Sequence, residues 1–168
     1  MASSLQESIF QLTRFNTWAS VRTADWLMTL SDEILHQTHI SSFPSIDKTM
    51  QHILRTQKFW MKFISGEQVG DFDWSVRHEA SQILLDEWKQ QSQQMEDFIT
   101  SMSESWLLEV LRLDMPWSQN QQARYTYIQH VVNHGSFHRG QIITLARQCG
   151  ITDSIPACDL NIYFTPNS

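Results

Sequence analysis

Apolar residues return at three- and four-residue intervals over most of the chain, the period of helices that bury one face. From Ser4 to about Leu30 no Pro or Gly intervenes. Leu5, Ile9, Leu12, Phe15, Ala19, Trp26 and Leu30 keep that period, which predicts a long first helix. The segment His36 to Pro44 changes character, with Thr38, Ile40, Ser41 and Ser42 favouring extended or turn geometry. Ser45 then offers a cap for a second helix running to about Ser65, with Ile46, Met50, Ile53, Leu54, Trp60 and Ile64 on its face and Gly66 as its stop. Glu67 to Trp74 reads as a surface loop before a third helix from about Val76 to Met102, marked by Ile83, Leu84, Trp88, Met95, Phe98 and Ile99. The Gln and Ser run from Gln90 to Gln94 keeps that period and reads as a solvated helix face. Met102 to Ser118 fits a short helix or a strand before Pro116. A fourth helix is expected from near Gln119 to Cys149, closed by Gly150, followed by an extended tail from Ile151 to Ser168 that packs on the bundle. The predicted class is all-α, an antiparallel four-helix bundle in one domain over residues 1–168.

Composition narrows the function. The chain has 168 residues, and 12 Lys plus Arg stand against 18 Asp plus Glu, a net charge of -6. That balance supplies no electrostatic footprint for a nucleic-acid backbone or an anionic membrane. No apolar run reaches the roughly 18 residues of a membrane helix, and Met1 to Phe10 lacks the basic flank and apolar core of a signal peptide. A cytoplasmic protein is expected. Its two cysteines, Cys149 and Cys158, are read as reduced.

Seven histidines then ask for an explanation. His130, His134 and His138 are spaced by four and share one side of the fourth helix. With Tyr127 at zero, ideal geometry puts His134 near about -20° and His138 near about 20°, inside the seam made by Val131, Ile142 and Leu145, and His130 near about -60° on its shoulder. Two core imidazoles left without partners would each cost roughly 1 to 3 kcal/mol. A shared metal ion resolves both, although the same spacing also arises on surface helices and in hydrogen-bonded cores. His52, on the flank of the second helix, is a candidate third ligand, or else a half-buried histidine bonded to a carbonyl. His36, His39 and His78 fall at connections or a helix start and receive no role.

The stretch from Tyr127 to Ile142, YIQHVVNHGSFHRGQI, resembles the carboxy-terminal signature of the DinB family of damage-inducible four-helix proteins. Asn133-His134 followed by His138-Arg139-Gly140-Gln141 is its most diagnostic part, and Asn16, Trp18, Pro156 and Asp159 fit the layout. The resemblance implies a divalent metal held by His52, His134 and His138. Three imidazoles with open positions describe a site that binds water or substrate, unlike a closed four-ligand zinc. Zinc would lower the pKa of bound water toward about 7 or present a thiolate, and nickel or iron would also accept these ligands.

The expected function is therefore that of a metal-dependent hydrolase or thiol transferase acting on a small molecule, with His130 as a proton-transfer or supporting residue. The alternative is a non-catalytic, metal-stabilised bundle that serves as a stress-response binding protein. Asn133 or Gln141 is expected to orient a ligand's outer nitrogen, and Arg139 to pair with an acid on a neighbouring helix, the alternative being that it binds an anionic substrate. Gly135 and Gly140 read as positions of close helix crossing. Relatives of this kind often pair, so a homodimer is expected, with no nucleic-acid or membrane partner.

Overall fold

A computed structural model describes residues 4–165. Four long helices carry it: α1 (Ser4–Leu27), α3 (Ile46–Ser65), α4 (Ser81–Thr100) and α6 (Arg124–Gln148). Short helices α2 (Asp32–His36), α5 (Glu104–Leu108) and α7 (Leu160–Tyr163) and a hairpin of β1 (Val110–Met115) and β2 (Ser118–Ala123) fill the connections. The tail beyond residue 165, with Pro166, lies outside the described residues.

α1 packs on α4 and α6, and α3 packs on the same two, which closes a ring of four. Cross-helix contacts fix the directions. Gln6, Thr17 and Asp25 of α1 meet Met102, Ser92 and Lys89 in descending order, so α1 and the α4 region are antiparallel. In the same way His52, Trp60 and Phe63 of α3 meet His138, His130 and Tyr127 of α6. By contrast Asp47 with Ser81 and Gln57 with Ser92 make α3 and α4 parallel. Two helices that follow one another and run the same way need a connection that travels back along the bundle. Residues 66–80 are that crossover. Arg55 of α3 donates to the Trp74 carbonyl, and the Arg77 amide donates to Gln51 Oε1 at 3.2 Å, so the crossover climbs along α3.

These connections also explain where the observed ends differ from the expected ones. α1 stops at Leu27, and Leu30 closes a turn back to the Leu27 carbonyl. α4 starts at Ser81, later than Val76, because residues 75–80 belong to the crossover. α6 starts at Arg124, later than Gln119, because residues 118–123 pair as β2 with β1 across a two-residue turn at Pro116 and Trp117. β2, with the sequence SQNQQA, has no apolar alternation, so nothing in its own pattern marks a strand. The tail contributes α7, whose Tyr163 packs 5.5 Å from Trp18 and 6.0 Å from Phe15. The boundaries of α3 agree with expectation: Ser45 Oγ accepts from the Lys48 amide, and Gly66 caps the end at φ 93°.

The described residues form three apolar clusters: a large one around Phe59, Trp60, Met95 and Ile128, another around Leu27, Leu54, Trp88 and Ile142, and a small one of Phe15, Ala19 and Val132. A polar belt accompanies them, in which Thr17 Oγ1 donates to the Ser92 carbonyl at 3.0 Å and Gln57 Nε2 to Ser92 Oγ at 3.2 Å. Cys149 and Cys158 are free thiols. No described helix is long and apolar enough to cross a membrane.

Candidate metal centre

α3 and α6 meet along their length, and that contact brings His52 to His134 and His138. His134 Nε2 lies 3.0 Å from His52 Nε2 and 3.0 Å from His138 Nε2. Candidate ligand atoms of all three residues fall within 4.8 Å of one another. Two imidazole nitrogens on a tetrahedral ion with bonds of about 2.0–2.1 Å sit roughly 3.3 Å apart, so a few tenths of an ångström of adjustment admits a cation.

Proton chemistry agrees with the spacing. Burial pushes His52 down to about 4, with the nearby His138 and Arg55 adding to the effect. Burial likewise pushes His134 down to about 3, followed in weight by His138, His52 and His130. Burial lowers His138 as well. Near neutral pH the group therefore consists of neutral imidazoles, the form that ligates metals. Gln141 settles which nitrogen of His138 is available: its Oε1 accepts from Nδ1 at 2.7 Å, leaving the lone pair on Nε2 facing His134. Asn133, the other residue expected to orient a ligand, is exposed.

Phe43 covers the group from one side. It stacks on His52 at 4.1 Å between ring centres and meets His138 edge-on at 5.6 Å. A cavity of about 450 Å³ lies against His52 and His134, walled by Thr56, Phe59, Trp60, Trp74, Trp117 and His130. Neither Phe43 nor His138 lines it, so the group is covered on the Phe43 side and reached from the tryptophan side. Phe43, Trp74 and Trp117 come from the segment before α3, the crossover and the hairpin turn, where no periodicity singles them out. The nearest sequence signal is an apolar residue placed just before the Pro44-Ser45 helix start.

The remaining candidates sort as follows. His130 is exposed at the cavity rim, edge-on to Trp60 at 4.8 Å and 5.8 Å from His134. His36 Nδ1 bonds the Asp32 carbonyl and His39 Nε2 lies 3.1 Å from Cys149 Sγ, and neither joins the three-histidine group. Arg139 departs from expectation, because it pairs with no acid among the described residues. Its guanidinium is buried, donating to Asn16 Oδ1 at 3.1 Å, Ser20 Oγ at 3.4 Å and Ser136 Oγ at 3.0 Å, with its carbon 5.7 Å from the Phe15 ring centre. Burial lowers its pKa to about 10. Gly135 serves this residue: a Cβ there would stand 3.0 Å from Arg139 Nη1 and 3.0 Å from Asn16 Oδ1. At Gly140 nothing lies within 4 Å, so no close crossing explains it.

The whole layout has known counterparts. The curated protein DinB of Bacillus subtilis (strain 168) is 28% identical over 171 residues, covering 96% of this chain and 97% of its own. A DinB-like protein of Bacillus cereus superposes with a TM-score of 0.70 at 18% identity, covering 90% of this chain and 97% of that one. A DinB-like protein of Bacillus subtilis superposes with a TM-score of 0.62 at 12% identity, covering 94% and 99%. The family profile of DinB matches residues 1–166. With a matching family profile over almost its whole length and a helical fold shared with solved relatives, this chain belongs to the DinB family.

Proposed function

We propose that this protein is a metal-dependent enzyme in which His52, His134 and His138 hold one divalent ion and a small molecule reacts in the adjoining cavity. The observation that carries this reading is the convergence of the three histidines, two of which, His52 and His134, line an accessible cavity. The ion supplies Lewis acidity toward a water molecule or a thiol, which suits hydrolysis or thiol transfer. Gln141 holds the tautomer of His138, Phe43 shields His52 and His138, and His130 stands at the rim to exchange a proton with the bound molecule. Access from the cavity favours catalysis over a purely structural ion, whose ligand sphere is closed by protein. The reading includes a cytoplasmic homodimer, for which the exposed Ile40 and Phe137 offer apolar surface.

The test is elemental analysis of protein purified without an affinity tag, together with His52→Ala and His134→Ala variants. One equivalent of metal in the parent and loss of it in both variants is the expected result. Metal retained in either variant, or none in the parent, refutes shared coordination.

A further inference from the structure

The cavity beside the three histidines has an unusual wall. Trp74 stands 5.0 Å from Phe59, and Trp117 stands 5.7 Å from Phe59 and 6.2 Å from Trp60, ring centre to ring centre. Both tryptophans remain substantially open to solvent, at 41% for Trp74 and 55% for Trp117. They come from the crossover and the hairpin turn, two separate segments that converge on α3. No Asp, Glu, Lys or Arg is among the lining residues.

One polar atom in this wall is unaccounted for. Thr56 is only 7% exposed, and its Oγ1 has no hydrogen-bond partner among the described residues. Helical threonines elsewhere in the chain return their hydroxyl to the carbonyl one turn back, as Thr13, Thr23 and Thr49 do at 2.8, 2.7 and 2.8 Å. Thr56 does not, although the His52 carbonyl lies one turn back in the same helix. Thr56 is one of the residues that line the cavity, on the face of α3 that also presents His52. Buried polar groups are otherwise almost always paired, so a hydroxyl left unpaired in a cavity wall is suited to meet a ligand atom.

We propose that the substrate is an uncharged small molecule with a flat, apolar body and one donor head. The body lies between the indoles of Trp74 and Trp117, the head points to the three histidines, and the Thr56 hydroxyl bonds a polar atom beside that head. This rests on the metal reading above and adds the ligand's chemistry to it. A cup of aromatic faces without a charged residue discriminates by apolar contact, and one buried hydroxyl supplies orientation.

Benzohydroxamate and acetohydroxamate share a metal-binding head and differ in phenyl against methyl, so they isolate the cup. Titrated calorimetrically into zinc-loaded protein, the phenyl compound binds at least tenfold tighter. Trp117→Ala, an exposed turn position, reduces that ratio below threefold. Thr56→Val, which keeps the shape and removes the hydroxyl, weakens both compounds at least threefold, because the shared head is what the hydroxyl meets. Equal affinities in the parent protein, or a ratio that survives Trp117→Ala, overturn the cup. Unchanged binding in Thr56→Val overturns the role of the hydroxyl. Failure of the metal reading looks different: neither hydroxamate binds and elemental analysis finds no metal. Toluene, which has no donor head, then decides on the cup by saturation-transfer NMR. A Trp117-dependent signal supports it, and the absence of one overturns it.

Discussion

His138 keeps its lone pair toward His134 only because Gln141 Oε1 accepts the proton on its other nitrogen. Gln141→Ala removes that acceptor without touching any of the three histidines proposed to hold the ion. Outer partners of metal-bound imidazoles are typically worth about 10- to 100-fold in affinity. A weakening of that size, measured by competition with a chromophoric chelator, is the expected outcome. Acid acts on the same rings. Unfolded histidines protonate near 6.5, whereas His52 stays neutral to about 4 and His134 to about 3 in the folded chain. Between those values the unfolded chain binds more protons, so folding stability falls as pH drops below about 6.5 and levels off once the native rings titrate. Thermal melts of metal-free protein at pH 7, 5.5 and 4.5 should show this decline, and His134→Asn should flatten it. His134 and His138 were legible in the sequence because a four-residue interval fixes two side chains on one face, and the surrounding apolar period says which face. Phe43, Trp74 and Trp117 were not, because they sit in irregular segments whose path is set by tertiary contact alone.

Within α6 two glycines make opposite demands. Gly135 leaves room for the guanidinium of Arg139 and for Asn16 of α1, each 3.0 Å from where a Cβ would stand, and both neighbours are buried. Gly135→Ala is expected to destabilise by about 1–3 kcal/mol through overpacking. Gly140→Ala meets nothing within 4 Å and should stabilise by up to about 1 kcal/mol, the difference in helix propensity. Urea denaturation of the two variants decides both signs. The elements themselves were readable wherever a helix carries its own period and stop, as α3 does between Ser45 and Gly66. They were misread where pairing overrides local character. β2 is polar up to its last residue, Ala123, and forms only because β1, with Leu113 and Met115 turned inward, offers it a partner. Arg139 was misread for a related reason: ideal spacing turns it about 100° away from His138, and only the fold shows that it is buried and that α1 answers it with an amide and a hydroxyl.

For the molecule as a whole, the three-histidine group ties α3 to α6, so an ion bound there links two walls of the bundle. At a free-ion concentration about 100 times Kd, binding to the folded state alone stabilises by about 2.7 kcal/mol. In a chain of this size that corresponds to a rise in Tm of about 5–10 °C. Zinc added to metal-free protein should produce that rise, EDTA should reverse it, and His134→Ala should abolish it; calorimetry is the check. The parallel course of α3 and α4 has its own consequence. The 20 residues of α3 span about 30 Å, a distance that about nine extended residues can bridge. Residues 66–80 exceed that minimum, and the surplus is the slack that lets Phe72 and Trp74 fold in against Phe59, with Trp74 lining the cavity. The tether between two helices thereby doubles as a wall of the cavity, so the need to reach from end to end sets only its minimum length, and the residues beyond that minimum are available to shape what enters.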